Sequence, residues 1–203
     1  MTEERSGIVI LGGGNAISLA IRAGHAGRRV ALIEKDLLGG TCPNRGRIPS
    51  KLLIAFADVV NGIREAGRFH VDATLKSVDR DRLMHETVEA TLGSTDGKLQ
   101  GALHDSVTLF RGHGRFVDRQ TLEVDGRRDC GERVIVAPGT RPREPRIPGL
   151  GGMPCWMSDH VFELDRAPRS ITIVGGGYIA CEFAHFFHGI GVGRRWCTAA
   201  PNC

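Results

Sequence analysis

The stretch GGTCPNRGRIPSK, from Gly39 to Lys51, sets a thiol at Cys42 five residues before a guanidinium at Arg47. A cysteine just ahead of a helix can serve as a redox nucleophile, because helix N–H groups and a nearby cation favour the thiolate. A second thiol at position 47 would let the pair alternate between disulfide and dithiol. Arg47 stands there instead, and a cation cannot relay an electron pair as sulfur does. The stretch therefore reads as the front of a redox centre with one part exchanged.

Two other stretches could grip a nucleotide. In GIVILGGGNAISLAIRAGHAGRRVALIEKD, the apolar run Ile8–Leu11 reads as a strand buried on both faces. Gly12, Gly13 and Gly14 follow at once. Ile17, Leu19–Ile21 and Ala23 then fit a helix, and Arg29–Ile33 fits a second strand closed by Glu34. This order is the dinucleotide-binding strand–helix–strand unit. Gly12 makes the tight turn, and Gly14 lets the backbone approach a diphosphate. The helix N-terminus offers unpaired N–H groups to it, and Glu34 is placed to accept hydrogen bonds from a ribose. One residue departs: Ile17 holds the place of the third glycine, where its β-branch is expected to push the helix from the strand. The second stretch, RSITIVGGGYIACEFAHFFHGIGV, repeats the opening. Ile171–Val174 is a short β-branched run. Gly175, Gly177 and Ala180 match GxGxxA. A helix from Tyr178 to Gly189 presents Phe183, Ala184, Phe187 and Ile190 at helical spacing.

Other segments must position these groups. Leu52, Phe56, Val59/Val60 and Ile63 predict an amphipathic helix, and Met84, Val88 and Leu92 a second one interrupted by Gly93 and Gly97. VTLFRGHGRFVDRQTLEVDG reads as an antiparallel meander, and RVIVAPGT as a buried strand. The proline-punctuated TRPREPRIPGL reads as a crossing between domains. The fold class expected is α/β, a Rossmann-like dinucleotide-binding domain with an incomplete second βα unit of the same kind.

The totals narrow the function. The 203 residues are 41% hydrophobic and 25% charged, a globular composition. The net charge of +4 comes from scattered arginines with only 5% aromatic residues, which argues against a nucleic-acid surface. No run approaches the roughly 20 apolar residues that span a bilayer, so no membrane partner is expected. Six cysteines, at 42, 130, 155, 181, 197 and 203, form no framework. Cys130, Cys155 and Cys181 read as buried bystanders. A cytoplasmic, reducing compartment is expected.

Taken together, LGGGNA, IEKD, GGTCPNRGRIPSK, RGHGRF, VIVAPGT and VGGGYIACEFAH resemble, in order and spacing, the class I pyridine nucleotide–disulfide oxidoreductases. That family includes the dihydrolipoamide, mycothione and mercuric enzymes. The resemblance implies non-covalently bound FAD and use of NAD(P)H. Gly12, Gly13, Gly14, Asn15, Ala16, Glu34 and Lys35 would hold the ADP half. Gly114 would lie near the adenine, with Gly139 and Thr140 closing over the cofactor. Gly40, Thr41 and Cys42 would lie along the flavin. Lys51 would sit near its N5 atom, paired with Glu182, since a buried lysine needs a carboxylate. Gly175, Gly177 and Ala180 would take the diphosphate of NADH or NADPH. The implied domains are 1–145 for FAD and 146–193 for part of the NAD(P) domain. The substrate implied is a small-molecule disulfide or thiol.

Cys42 matches the substrate-attacking thiol of this family, and Arg47 replaces the flavin-contacting one. Pro138 departs from VIVATGT and removes a backbone donor. After Val192 the chain reads GRRWCTAAPNC, without alternation or a β-branched run, so 194–203 is expected to be an aberrant tail from a truncation or shifted frame. The C-terminal domain through which the family forms homodimers is not expected in this chain. The main reading is a flavin-dependent oxidoreductase, impaired or inactive in this chain. One alternative is a non-catalytic FAD-binding remnant. The other is a metal-binding protein, because Cys181, His185 and His188 fall on one helical face.

Overall fold

The computed structural model describes residues 3–91 and 94–197, which form two compact units, one from 3–44 with 94–143, the other from 45–91 with 144–197. Along the chain run β1 (Glu3–Leu11), α1 (Ile17–His25), β2 (Val30–Glu34), α2 (Thr41–Arg45) and α3 (Arg47–Glu65). Then come α4 (Arg80–Thr91), α5 (Ser94–Gly101), β3 (Val107–Arg111), β4 (Arg115–Phe116), β5 (Thr121–Val124) and β6 (Arg127–Val136). The last elements are β7 (Ser170–Val174), α6 (Tyr178–Gly189) and β8 (Gly193–Cys197).

The first unit is built on a six-stranded sheet in the order β3-β2-β1-β6-β5-β4. Strands β3, β2, β1 and β6 are parallel, and β6, β5 and β4 antiparallel. VTLFR, expected to open an antiparallel meander, is thus the parallel edge strand β3; only β4, β5 and β6 make the meander. Alternation along the strands sorts their residues to two faces. Ile10, Val30 and Leu32 join Ile17, Ala20, Leu38 and Val107 in one buried cluster. Val9, Ala31 and Ile33 join Phe110, Leu122 and Val124 in another. Ile17, expected to push α1 away, is buried inside the first cluster at the start of that helix.

The second unit packs α3, α4, α6 and the parallel pair β7–β8 around Leu53, Leu83, Met84, Phe183, Phe186 and Phe187. The buried stripe of α3 is Leu53, Ala57 and Val60; of the expected Leu52, Phe56, Val59/Val60 and Ile63, Val60 is buried, Phe56 and Ile63 are half-buried, and Leu52 and Val59 are exposed. Ala57 explains the difference, because Gly189 of α6 lies so close that an added Cβ would stand 2.6 Å from the Ala57 Cβ. Only small residues allow two helix backbones to approach in this way. In α4 the buried residues are Leu83, Met84, Thr87 and Thr91, with Val88 half-buried. Leu92 and Gly93 lie outside the described residues.

The expectation that no strand follows Val192 is corrected. Gly193–Cys197 pairs in parallel with Ser170–Val174, which closes a second strand–helix–strand unit. A ladder needs only main-chain groups, and Gly193, Arg194, Arg195 and Cys197 are exposed, so this strand requires no apolar pattern of its own. Residues 198–203, the rest of the expected aberrant tail, lie outside the described residues.

Candidate functional site

In the first unit, β1 ends in a bend made by Gly12, Gly13 and Gly14. The Gly12 N–H donates to the Ile33 carbonyl at 2.8 Å, continuing the β1–β2 ladder. Gly12 has φ +105°, and a Cβ there would meet the Ala137 carbonyl oxygen at 2.0 Å, so no other residue fits. Asn15 and Ala16 follow, and α1 starts with no side chain capping its N-terminus; the Ile17 N–H donates to the Gly14 carbonyl at 3.1 Å and the Leu19 N–H to the Ala16 carbonyl at 3.0 Å. Glu34 ends β2 beside this bend. One carboxylate oxygen accepts the Gly13 N–H at 2.7 Å, and the other accepts the Asp36 N–H at 2.8 Å. The Glu34 carboxylate is thus fixed and still has lone pairs to offer. Lys35 beside it is exposed.

The segment after β2 returns to the glycine bend. The Gly39 N–H donates to the Gly13 carbonyl at 2.8 Å, and a Cβ on Gly40 would stand 3.0 Å from the Gly14 Cα. Gly114 crosses the sheet where an added Cβ would meet Leu11 at 2.7 Å and Ile33 at 2.9 Å. After β6 the Ala137 N–H donates to the Leu11 carbonyl at 2.8 Å, which brings the loop with Pro138, Gly139 (φ +72°) and exposed Thr140 to the C-terminal end of β1. Gly12–Ala16, Glu34, Lys35, Gly40, Thr41, Gly114, Gly139 and Thr140 therefore belong to one compact unit. Cys42, half-buried in the first turn of α2, belongs to it too.

In the second unit, α3 and α6 bring Lys51 and Glu182 together as an ion pair. Hydrogen bonding from Lys51 holds the Glu182 carboxyl below its ordinary range, against the opposing effect of burial, with Ser50 adding to the lowering. A shallow depression of about 280 Å³, lined by Arg47, Ile48, Lys51 and Leu52, opens on the first turns of α3. Gly175 has φ +129° and donates its N–H to the Cys197 carbonyl at 2.9 Å, as Gly12 does to Ile33. Gly177 precedes the first residue of α6, whose N-terminus also has no side-chain cap, and Ala180 lies in its first turn.

Three cysteines expected to be buried are not: Cys130 is half-buried, and Cys155 and Cys181 are exposed. Cys155 sits outside regular structure, and Cys181 lies on the exposed face of α6. All five described cysteines are free. The face carrying Cys181, His185 and His188 is divided among other partners. His185 pairs with Asp58 at 2.7 Å, and His188 meets Arg194 at 2.7 Å, where burial and then Arg194 lower its pKa. Among the described residues no three His, Cys, Asp or Glu side chains cluster to hold a metal, and no helix is long and apolar enough to cross a membrane.

Sequence reasoning missed two side chains that shape the glycine site. Asn44 is buried, and Asp96 of α5 accepts the Leu38 N–H at 2.7 Å while pairing with Arg111 at 2.9 Å. Asn44 stood inside the most informative motif of the chain. Asp96 had no local signal, because its partners lie 58 and 15 residues away.

The chain is similar to known proteins over nearly all its length. It is 36% identical over 197 residues to the dihydrolipoyl dehydrogenase of Chlamydia pneumoniae, covering 95% of this chain and 42% of that protein. It is 30% identical over 193 residues to the mercuric reductase of Lysinibacillus sphaericus, covering 94% of this chain and 35% of that one. Among solved structures, the Cu(II) complex of RclA, a HOCl-induced flavoprotein disulfide reductase of Escherichia coli, superposes with a TM-score of 0.80. The identity there is 30%, over 96% of this chain and 42% of that one. The chain thus spans less than half the length of these relatives. Members of the family they represent bind FAD and use NAD(P)H. Because the model for pyridine nucleotide-disulphide oxidoreductases matches residues 6–203, the chain belongs to that family.

Proposed function

We propose that this chain forms the FAD-gripping portion, and the first strand–helix–strand of the NAD(P) portion, of a flavin-dependent NAD(P)H oxidoreductase. The observation that carries the reading is the Gly13–Glu34 hydrogen bond across the bend between β1 and α1. It fixes an acceptor for ribose hydroxyls beside a run of backbone donors for a diphosphate. The cradle is the right kind for FAD: side chains are missing at Gly12, Gly13, Gly14 and Gly40, and added atoms at Gly12, Gly13 and Gly40 would collide or crowd. Gly12–Ala16, Glu34 and Lys35 hold the ADP half, and Gly40, Thr41, Gly114, Gly139 and Thr140 line the rest. FAD supplies the two-electron chemistry that no side chain here can perform. Lys51, oriented by its ion pair with Glu182, supplies a positive charge. Gly175, Gly177 and Ala180 take the diphosphate of NAD(P)H.

The acceptor in this reading is a small disulfide or thiol compound, met by Cys42, and the setting is the cytoplasm. Arg47 rules out a disulfide between positions 42 and 47. Electron transfer to artificial acceptors therefore survives better than disulfide reduction. The test is to purify the protein with added FAD and identify the bound flavin after heat release. A yellow protein releasing FAD supports the reading, and a folded, colourless protein that takes up none overturns it. Arg47→Cys then restores a pair of thiols. It is expected to raise disulfide reduction by NAD(P)H at least about tenfold, roughly the scale on which one active-site group matters.

A further inference from the structure

The diphosphate cradle has two walls, and only one is the glycine bend after β1. The other is the turn at Leu38–Gly40, and its position is fixed by side chains outside the recognised motif glycines. Asn44 uses both amide hydrogens on it, donating to the Leu38 carbonyl at 3.0 Å and to the Gly40 carbonyl at 2.8 Å. Asp96 accepts the N–H of the same Leu38 at 2.7 Å and is itself held by Arg111 at 2.9 Å. Both polar groups of the Leu38 peptide are therefore gripped, from two different helices. The Leu38 side chain is fully buried, and its Cδ2 atom would stand 2.7 Å from a Cβ on Gly13. The turn cannot move without moving against the bend.

Asn44 is 1% exposed, and its Oδ1 is buried without a hydrogen-bond partner. An unpaired buried acceptor is destabilising, and it is tolerated here because an apolar residue of the same shape would leave the Leu38 and Gly40 carbonyls without these donors. What only the amide offers at this place is two donors set at the angle that bridges the Leu38 and Gly40 carbonyls.

We infer that Asn44 is a positioning residue: its amide locks the Gly39–Gly40 turn against Gly13 and Gly14 and so sets the width of the slot that receives a diphosphate. This rests on the proposed FAD reading. It predicts that the loss on removing the amide falls on the diphosphate and not on the nucleoside.

The test measures binding of FAD, ADP and adenosine to the whole chain by flavin fluorescence and ligand-detected NMR, for the wild type and Asn44→Leu. Loss of about tenfold or more in FAD and ADP affinity, with adenosine changed less than about twofold, is the expected result. Equal losses for ADP and adenosine, or none, overturn the inference. Gly40→Ala, which leaves Asn44 in place and narrows the slot, is expected to show the same selectivity, and it decides the matter where Asn44→Leu does not fold. Unchanged ADP binding in Gly40→Ala overturns the inference as well. Failure of the wild type to bind any of the three overturns the FAD reading itself, and the inference with it.

Discussion

The two strand–helix–strand units of this chain are built to one register and differ in what surrounds them. In β1–α1–β2, Leu11 pairs with Ile33 and Gly12 donates to the Ile33 carbonyl; in β7–α6–β8, Val174 pairs with Cys197 and Gly175 donates to the Cys197 carbonyl. The first unit sits in the middle of a six-stranded sheet, and Val9 and Ile10 of β1 are fully buried on opposite faces. The second has a sheet of two strands, and β7 alternates between exposed and half-buried residues. The same glycine bend is therefore crowded in one and open in the other. A Cβ on Gly12 would strike the Ala137 carbonyl, whereas a Cβ on Gly175 would meet nothing within 4 Å. The bend is written by local sequence, and its rigidity comes from the neighbouring strand.

The sharpest break of this comparison is Gly12→Ala against Gly175→Ala. The first is expected to cost about 3–5 kcal/mol, because strand β6 would have to retreat. The second carries only the strain of a positive φ, about 1–3 kcal/mol. Equal shifts in urea midpoint would mean that the end of β6 beside Gly12 is not fixed as described.

Core deletions sharpen it next. Phe186→Ala in α6 removes a fully buried ring and is expected to cost about 3–5 kcal/mol, and Ile10→Ala in β1 about 2–5 kcal/mol. Ile171→Ala in half-buried β7 is expected to cost about 1 kcal/mol or less. The second unit would then owe its stability to its helix and the first to its central strand. A large effect of Ile171→Ala in equilibrium unfolding would contradict that division.

The smallest effect belongs to the ion pair. Glu182→Gln is expected to cost about 0.2–1 kcal/mol near neutral pH, since Lys51 is half exposed. Lys51 holds the folded-state pKa of Glu182 below its unfolded value, so the contribution is complete above the ordinary carboxylate range and fades as pH falls through the depressed value. Unfolding measured between about pH 7 and pH 3 should show the wild type losing its advantage over the variant on acidification. A constant difference would remove the assignment.

The glycine bends, the strands leading into them and the Lys51–Glu182 partnership were legible in the sequence because each rests on residue type at short range or on a family motif. What was not legible has a common physical cause. The buried face of α3 was placed only in part, at Val60 and Phe56, because Ala57 carries no hydrophobic signal, yet it is where α6 comes closest. Strand β8 was missed because an exposed edge strand needs no apolar alternation. VTLFR was read as antiparallel because alternation does not report strand direction, which here is set by pairing with β2 across more than seventy residues. Asp96 was invisible because its role is a hydrogen bond to a distant main chain.

The contact between Ala57 and Gly189 reaches further than its size suggests. Helices α3 and α6 run in the same direction, with Lys51 meeting Glu182 near their starts and Arg64 donating to the Gly189 carbonyl near their ends, at 2.8 Å. A single methyl at residue 189 would wedge the far ends apart. About 9 Å back along the axis, at 1.5 Å per residue, that wedge becomes a tilt at the lysine. The aim of a charge is thus set by a hydrogen atom two turns away.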